Sequence, residues 1–340
     1  MEFFGRTPWP SLAALRSYNE LNTPLAFVVW GALEYWLRQG LWLPRLLNLT
    51  LSFTLAVLIA VPARGLTRRS AAACACLLLC PYYLFVSARI YTDMPAIFCA
   101  VLGVRAYLAR RHVWSAALFV LAIATRQYAV AFPIAIAACE ATGGQGRSRG
   151  ALLAAAVPIA SLFGWMWFFG AIAPPEALMS QSVPTAPLAI VIPENALYLL
   201  ACAGLYFTLP CLLVIDRGIR RPLLRPRAAV AIVSVVVLFV LFPPTGNRGV
   251  DTVTMGLFDR TLHALHLPSA ARAAVLGAFA TAAVLSLLNR PLALSMAIAN
   301  ALVMLKAHLA WDKYALPLVA VLWLLTSREA WDSSGHEPAP

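Results

Sequence analysis

Apolar residues fall along this chain in long stretches separated by short connections that are polar or rich in arginine. The stretches occupy 43–63, 70–87, 93–109, 112–125, 127–141, 151–171, 195–215, 228–243, 272–289, 291–307 and 314–327. A hydrocarbon core about 30 Å thick takes about 20 apolar residues per spanning helix. Each stretch is apolar around its whole circumference, which sets it apart from the one-sided surface helix of a soluble protein. The pattern predicts an all-α, polytopic transmembrane protein with about eleven spans. The pair 112–125 and 127–141 is short, and Thr125-Arg126-Gln127 marks the break between them.

Residues 1–40 read as an interfacial segment on the outer face, 41–327 as transmembrane helices and 328–340 as a polar tail, together one transmembrane domain. In the first part, Phe3, Phe4, Trp9, Leu12, Leu15 and Tyr18 alternate with polar residues as in an amphipathic surface stretch. Residues 23–38 are apolar but short, aromatic and interrupted by Glu34, with Pro24 suited to a first helical turn. A full span with a cytoplasmic N-terminus is the alternative for this segment. Met1 to Pro10 has neither the basic nor the apolar region of a signal peptide.

Composition sharpens the class. The chain is 61% hydrophobic and 12% charged, against about 45–50% and 25% for soluble domains, which leaves almost no length for a soluble domain. The net charge of +12 is not the footprint of a nucleic-acid binder, because no basic stripe with interleaved aromatics lies outside the spans. The arginines sit instead after every odd-numbered stretch: Arg64, Arg68 and Arg69; Arg110 and Arg111; Arg147 and Arg149; Arg217 through Arg227; Arg290; Arg328. That alternation predicts a cytoplasmic side for those loops. The loops 88–93, 125–127, 172–194, 244–271 and 307–313 then face outward, across a cell membrane. The seven cysteines lie inside apolar stretches, where a thiol acts as a small hydrophobe. Neither a disulfide framework nor a metal site follows from their spacing.

Ionisable groups at the outward helix ends carry the candidate chemistry, because charge near hydrocarbon is costly. In Arg89-Ile-Tyr91-Thr-Asp93-Met-Pro95 an acid sits where an outer loop turns into a helix. It can cap that helix, act as a base or hold a divalent metal. Arg126 lies on the side opposite the basic loops, placed to grip a phosphate bidentately or to pair with Asp93. Lys306-Ala-His308-Leu-Ala-Trp311-Asp312-Lys313-Tyr314 holds the only two lysines of the chain among aromatics. Interfacial anchoring is the plainer account of that loop. His263 and His266 have metal-like spacing near Asp259 but lack a further ligand. The sequon at Asn48 lies inside a span, and Thr142-Gly-Gly-Gln-Gly-Arg147 reads as a linker.

These residues together resemble membrane glycosyltransferases of the GT-C class. Pro24-Leu-Ala-Phe-Val-Val-Trp30 with Leu43-Pro-Arg45-Leu-Leu-Asn48 is similar to their proline-leucine-aromatic segment and the arginine-leucine pair that follows. Ser87-Ala-Arg89-Ile-Tyr91-Thr-Asp93 resembles their second outer loop. Ala124-Thr-Arg126-Gln127 is similar to the Arg-Gln element of the dolichyl-phosphate-glucose α-1,2-glucosyltransferases. Asp312-Lys313-Tyr314 before Leu316-Pro317 resembles the basic-Tyr-Leu-x-Pro element that opens a late helix. The likeness covers residues 20–140 and 306–325 and implies a GT-C-like fold.

The resemblance implies inverting sugar transfer from a polyprenyl-phosphate donor to a glycan, lipid or protein acceptor. It would place Arg126, Arg89 and Lys313 on the donor phosphate, and Tyr91, Gln127, His308, Asp312 and Tyr314 around the substrate. The family carries its catalytic base on an acidic motif after a first transmembrane helix. Here the opening acids are Glu2 and Glu20, so a preceding helix is expected, with Asp93 or Glu20 as the acid otherwise available. A bacterial inner membrane, with the site facing outward, is the expected setting. A transporter or flippase, or a non-catalytic subunit that binds a polyprenyl lipid, are the competing readings.

Overall fold

The computed structural model describes residue 7 and residues 9–62, 65–142, 148–180, 191–215, 226–244, 256–307 and 309–329. His308, Glu2, the arginines Arg64, Arg147, Arg217, Arg220, Arg221 and Arg225, residues 143–147 and the tail from residue 330 lie outside them. Among the described residues the chain is all-helical. In order the helices are α1 (Leu12–Arg16), α2 (Leu25–Leu37), α3 (Trp42–Ala60), α4 (Arg68–Leu78), α5 (Pro81–Ala88) and α6 (Asp93–Leu108). There follow α7 (His112–Thr125), α8 (Ala131–Thr142), α9 (Arg149–Phe169), α10 (Pro175–Ser180), α11 (Pro193–Ala203) and α12 (Leu209–Val214). The last are α13 (Pro226–Leu241), α14 (Leu257–Ala264), α15 (Ser269–Leu287), α16 (Pro291–Met304) and α17 (Leu316–Glu329).

Each apolar stretch is helical, and the departures from a simple rod have local causes. The stretch at 70–87 is two helices bent by 67°, broken ahead of Pro81, whose ring and missing N–H cannot continue α4. The stretch at 127–141 opens with a 3₁₀ turn, Gln127–Val130. Between α11 and α12 the helix widens into a π segment, Gly204–Thr208. Four helical runs are long and apolar enough to cross a membrane: α3, α9, Pro193–Val214 and α15. Counting the bent α4–α5 pair as one broken span gives a fifth. These helices are consistent with a membrane protein.

The chain divides into two compact units, Met1–Leu55 with Leu84–Ile190 and Ala56–Tyr83 with Val191–Pro340. In the first, α6 and α7 pack along each other and α9 lies against both α7 and α8. Ile97, Ala100, Val101, Val104, Phe119 and Ile123 are fully enclosed there. The Ser115 hydroxyl donates to the Gly103 carbonyl at 3.0 Å and ties α7 to α6. Of the opening segment, whose Phe3 and Phe4 lie outside the described residues, the part from Leu15 onward is docked on this unit. Leu15 and Tyr18 pack with Phe27 and Phe169, and Arg16 covers the Phe168 ring. Trp9 and Leu12 remain exposed.

In the second unit α17 is the central helix, with every residue from Leu318 to Leu324 buried. It packs on α4 and α16, while α11 packs on α15 and α16. Val230, Val233 and Val240 on α13 are exposed, as expected of side chains that meet lipid. Gly204 lets the π segment lie directly on α15, since a Cβ there would strike the Phe279 carbonyl. Backbone cannot yield as a flexible side chain can, so Gly204→Ala should destabilise by about 1–3 kcal/mol. Thermal unfolding in detergent, compared with Gly164→Ala, where a Cβ meets nothing within 4 Å, measures the effect.

Candidate functional site

In the first unit Arg126 and Asp93 form a buried ion pair, Nη2 to Oδ2 at 2.5 Å, with Asp93 fully enclosed and the Arg126 side chain 9% exposed. Arg126 is the extended residue that ends α7, with φ −147° and ψ 116°, and it turns the chain into the 3₁₀ segment. Asp93 begins α6, where the helix dipole favours an anion. Thr92 occupies the N-cap position, so Asp93 does not cap the helix. Its second oxygen accepts from the Tyr128 hydroxyl at 2.8 Å. The Tyr128 ring also lies 5.7 Å from the guanidinium carbon of Arg126. Both carboxylate oxygens of Asp93 are therefore engaged. This is the Arg–Asp pairing that the sequence left open against a free, phosphate-facing arginine.

The loop ahead of α2 is stitched onto the same place. Arg126 Nη1 donates to Asn22 Oδ1. Gln127 Nε2 donates to the Leu21 carbonyl at 2.9 Å and to that of Ile172 at 3.4 Å. Thr23 Oγ1 donates to the Ile123 carbonyl at 2.5 Å, and the Tyr18 hydroxyl closes the loop on the Asn22 carbonyl. Glu20, two residues before Asn22, is exposed and accepts no hydrogen bond among the described residues. The outer loop before α6 is held from α3: Asn48 Nδ2 donates to the carbonyls of Arg89 at 2.8 Å and Tyr91 at 3.0 Å. Arg89 is exposed and lies over the Phe85 ring at 4.3 Å, and Tyr91 packs its ring on Phe85.

The second unit holds a separate polar centre. Asp312, 1% exposed, accepts from Tyr198 at 2.5 Å, from Tyr206 and from the Phe258 amide at 2.8 Å. In a regular α-helix a residue eight positions on sits about 80° round the axis. An i→i+5 turn takes up one extra residue, so the π segment carrying Tyr206 swings it back toward the face of Tyr198. The first three amides of α14 all find acceptors from elsewhere in this unit. Leu257 N–H donates to the Tyr82 hydroxyl at 2.7 Å, Phe258 to Asp312, and Asp259 to the Tyr198 hydroxyl at 3.3 Å. Gly256, the N-cap residue, has no side chain to offer, and a Cβ there would overlap Asp312 Oδ1. Asp312 and two tyrosines together cap this helix.

Lys313 is 6% exposed, its ammonium 4.2 Å from the Trp311 ring and 5.4 Å from that of Tyr314. Asp312 and Lys313, expected in an exposed interfacial loop, are thus buried, while Trp311 and Tyr314 stay half-buried. The reason is that the 3₁₀ turn Asp312–Ala315 packs against α11 and α17.

The chain matches no family model, no curated protein and no solved structure. The residues alone carry the functional argument.

Of the residues picked from the sequence, the structure joins Asp93 with Arg126, and it places Glu20 and Gln127 on the loop and turn beside them. Asp312, Lys313 and Tyr314 belong to the other unit. His308 lies outside the described residues. His263 bonds Arg272 Nη1 through Nε2, and His266 ends its turn with a φ of 52°. No three metal-ligating side chains converge among the described residues. Sequence reasoning missed Tyr128, Asn22, Tyr198, Tyr206 and Gly256. Only Tyr128 and Asn22 had a signal, as polar neighbours of Arg126-Gln127 and Glu20.

Removing one partner of a buried pair leaves a charge without compensation, at about 3–5 kcal/mol. Asp93→Asn and Arg126→Gln should each destabilise by that order, and the double variant by less than their sum. A double-mutant cycle on chemical unfolding reads the coupling. In the second unit, burial raises the Asp312 carboxyl despite the lowering effect of its Tyr198, Tyr206 and Phe258 donors. Burial also raises Asp259 against the pull of His263 and Arg272. For a raised carboxyl the added stability is complete below its ordinary range, about pH 4, and is lost as pH rises through the folded value. The unfolding midpoint should therefore climb as pH falls through the raised folded value toward about 4, and the climb should shrink in Asp312→Asn.

Proposed function

We propose that the chain is a GT-C-like membrane glycosyltransferase of about eleven spans, which moves a sugar from a polyprenyl-phosphate donor to an acceptor hydroxyl at the outer face. The observation that supports this reading is the fixed guanidinium of Arg126 at a helix break, with the exposed carboxylate of Glu20 on the loop docked against it. Arg126 is the donor-phosphate residue, and Asp93, Tyr128 and Asn22 hold its position. Because Asp93 is taken up by Arg126 and Tyr128, Glu20 is the acid left to act as base. Arg89 and Gln127 complete the donor end, with Tyr91 on the sugar side.

The reaction then runs as one displacement. The acceptor oxygen attacks the anomeric carbon and its proton passes to Glu20. The bond from that carbon to the phosphate oxygen breaks, and polyprenyl phosphate departs with the electron pair. The leaving phosphate gains a negative charge, which a preset guanidinium stabilises without reorganising.

A transporter or flippase is the second reading, favoured by the broken α4–α5 pair, since discontinuous helices line substrate paths in transporters. The two separate on purified protein in lipid nanodiscs supplied with polyprenyl-phosphate hexoses and membrane lipid extract. A transferase releases polyprenyl phosphate and forms a glycosylated product. Glu20→Gln should lower turnover by about 10²–10⁴-fold, the usual worth of a general base, with donor binding retained. Arg126→Gln should lose donor binding as well. Turnover untouched by both changes sinks the assignment of residues. Donor binding with no turnover by the intact chain supports a non-catalytic lipid-binding subunit, and donor movement between leaflets without sugar loss supports the flippase.

A further inference from the structure

Two turns of the first unit bring arginines to one end of its helices, away from the Arg126 centre. Arg111 is the N-cap residue of α7, and Arg149 is the first residue of α9. These helices pack on each other, and the Ser148 hydroxyl meets His112 Nε2 at 3.3 Å. That contact sets the first turns of α7 and α9 side by side. Because α9 is long enough to cross a membrane, both turns lie where a spanning helix leaves hydrocarbon. Arg111 and Arg149 are exposed, and neither side chain makes an ion pair, hydrogen bond or ring contact among the described residues. Glu140, the acid joined to these turns, has both oxygens committed to neutral donors. One accepts from the Tyr107 hydroxyl at 2.6 Å, the other from the Ser148 amide at 3.1 Å. The stretch 143–147, Gly-Gly-Gln-Gly-Arg, contains no acid. Beyond each arginine the exposed surface turns apolar: Val113 and Trp114 follow Arg111, and Leu153 follows Arg149. Trp114 is three positions on and Leu153 four, the spacing of neighbours on one helix face.

We infer that this end of the first unit binds anionic phospholipid headgroups of the bilayer, with their phosphates on Arg111 and Arg149 and with Trp114 and Leu153 at the acyl boundary. Charge complementarity selects this occupant. A guanidinium presents two parallel N–H donors to a phosphate, and an indole favours the level between headgroups and acyl chains. Neutral lipid would leave two cations at the edge of hydrocarbon without a countercharge, which is costly. His112 is not counted among the cations, since its Nε2 faces Ser148, nor is Arg110, which acts on the Tyr107 phenol. The inference rests on the membrane reading of the apolar helices and not on sugar transfer.

The test uses the full chain in nanodiscs of phosphatidylcholine alone or with phosphatidylglycerol, reading hydrogen exchange across 109–116 and 148–154. Each cation near an anionic surface is worth about fivefold in binding. Exchange in both segments should slow when phosphatidylglycerol is added, and rising salt should reverse the slowing. Arg111→Gln should need about fivefold more anionic lipid for the same protection, and Arg111→Gln with Arg149→Gln about 25-fold more. Arg111→Lys should behave nearly as wild type. Equal exchange in both lipids, or a double variant with the lipid dependence of the wild type, overturns the inference. The salt dependence of the unmodified chain stands as a test even if a variant fails to fold: slowing that survives high salt would make the contact apolar and overturn the headgroup assignment.

Discussion

A charge enclosed by apolar helices has no water to return to, and the arrangement around Arg126 follows from that. Asp93 is fully buried, so its carboxylate must be satisfied within the protein, and Arg126 and Tyr128 do so. The guanidinium in turn needs further acceptors, and it draws in Asn22 from the segment ahead of α2. One electrostatic debt at the start of α6 thereby fixes the end of α7, the 3₁₀ turn and the path of residues 18–23. The loop that bears Glu20 owes its position to this chain of compensation, since few of its own side chains are buried.

The same constraint is met differently in the second unit. Among the described residues no cation is bonded to Asp312; hydroxyls and an amide surround it instead. Hydrogen bonds without a countercharge offset less of the cost of burying an anion, which is why burial still lifts this carboxyl. The compensation reaches across the chain, because the amide belongs to a helix N-terminus whose dipole also favours an anion. Gly256 and the π segment are the geometric conditions: one leaves room for Asp312, the other turns Tyr206 toward it. A polar centre of this kind fixes one arrangement of α11, α14 and the turn before α17, because any other leaves donors unmet.

The helices were legible in the sequence because hydropathy period and length are local properties. The stretch at 112–125 coincides with α7 to the residue, and the others end within a few positions of their helices. The bend at Pro81 carried a signal in its proline, although the stretch around it reads as continuous. The π segment had none, since Gly204-Leu-Tyr-Phe-Thr208 is as compatible with an ordinary turn. Asp93 and Arg126 could be picked out singly as charges near hydrocarbon, and their pairing could be entertained but not chosen. Asp312 could be found too, but its burial could not. Whether Trp-Asp-Lys-Tyr lies at a surface or inside depends on α11 and α14, separated from it by more than 40 residues. Contacts of that range leave no trace in spacing.

The pairing of Arg126 bears directly on what an anion could gain there. With Asp93 bonded to it, the guanidinium is close to neutral as a unit and offers a resting phosphodiester less attraction than a bare arginine would. A phosphate that leaves as a monoester gains charge during the reaction, and its pull on the guanidinium grows in step. An arginine tempered by a carboxylate therefore holds the resting donor weakly while its attraction still grows as the phosphate leaves, and only interactions stronger in the transition state than in the ground state speed a reaction. Under the glycosyltransferase reading, Asp93 is then no failed base. It keeps a cation fixed in an apolar setting and keeps the donor from binding too tightly, while Glu20, left exposed on the adjoining loop, is free to accept a proton.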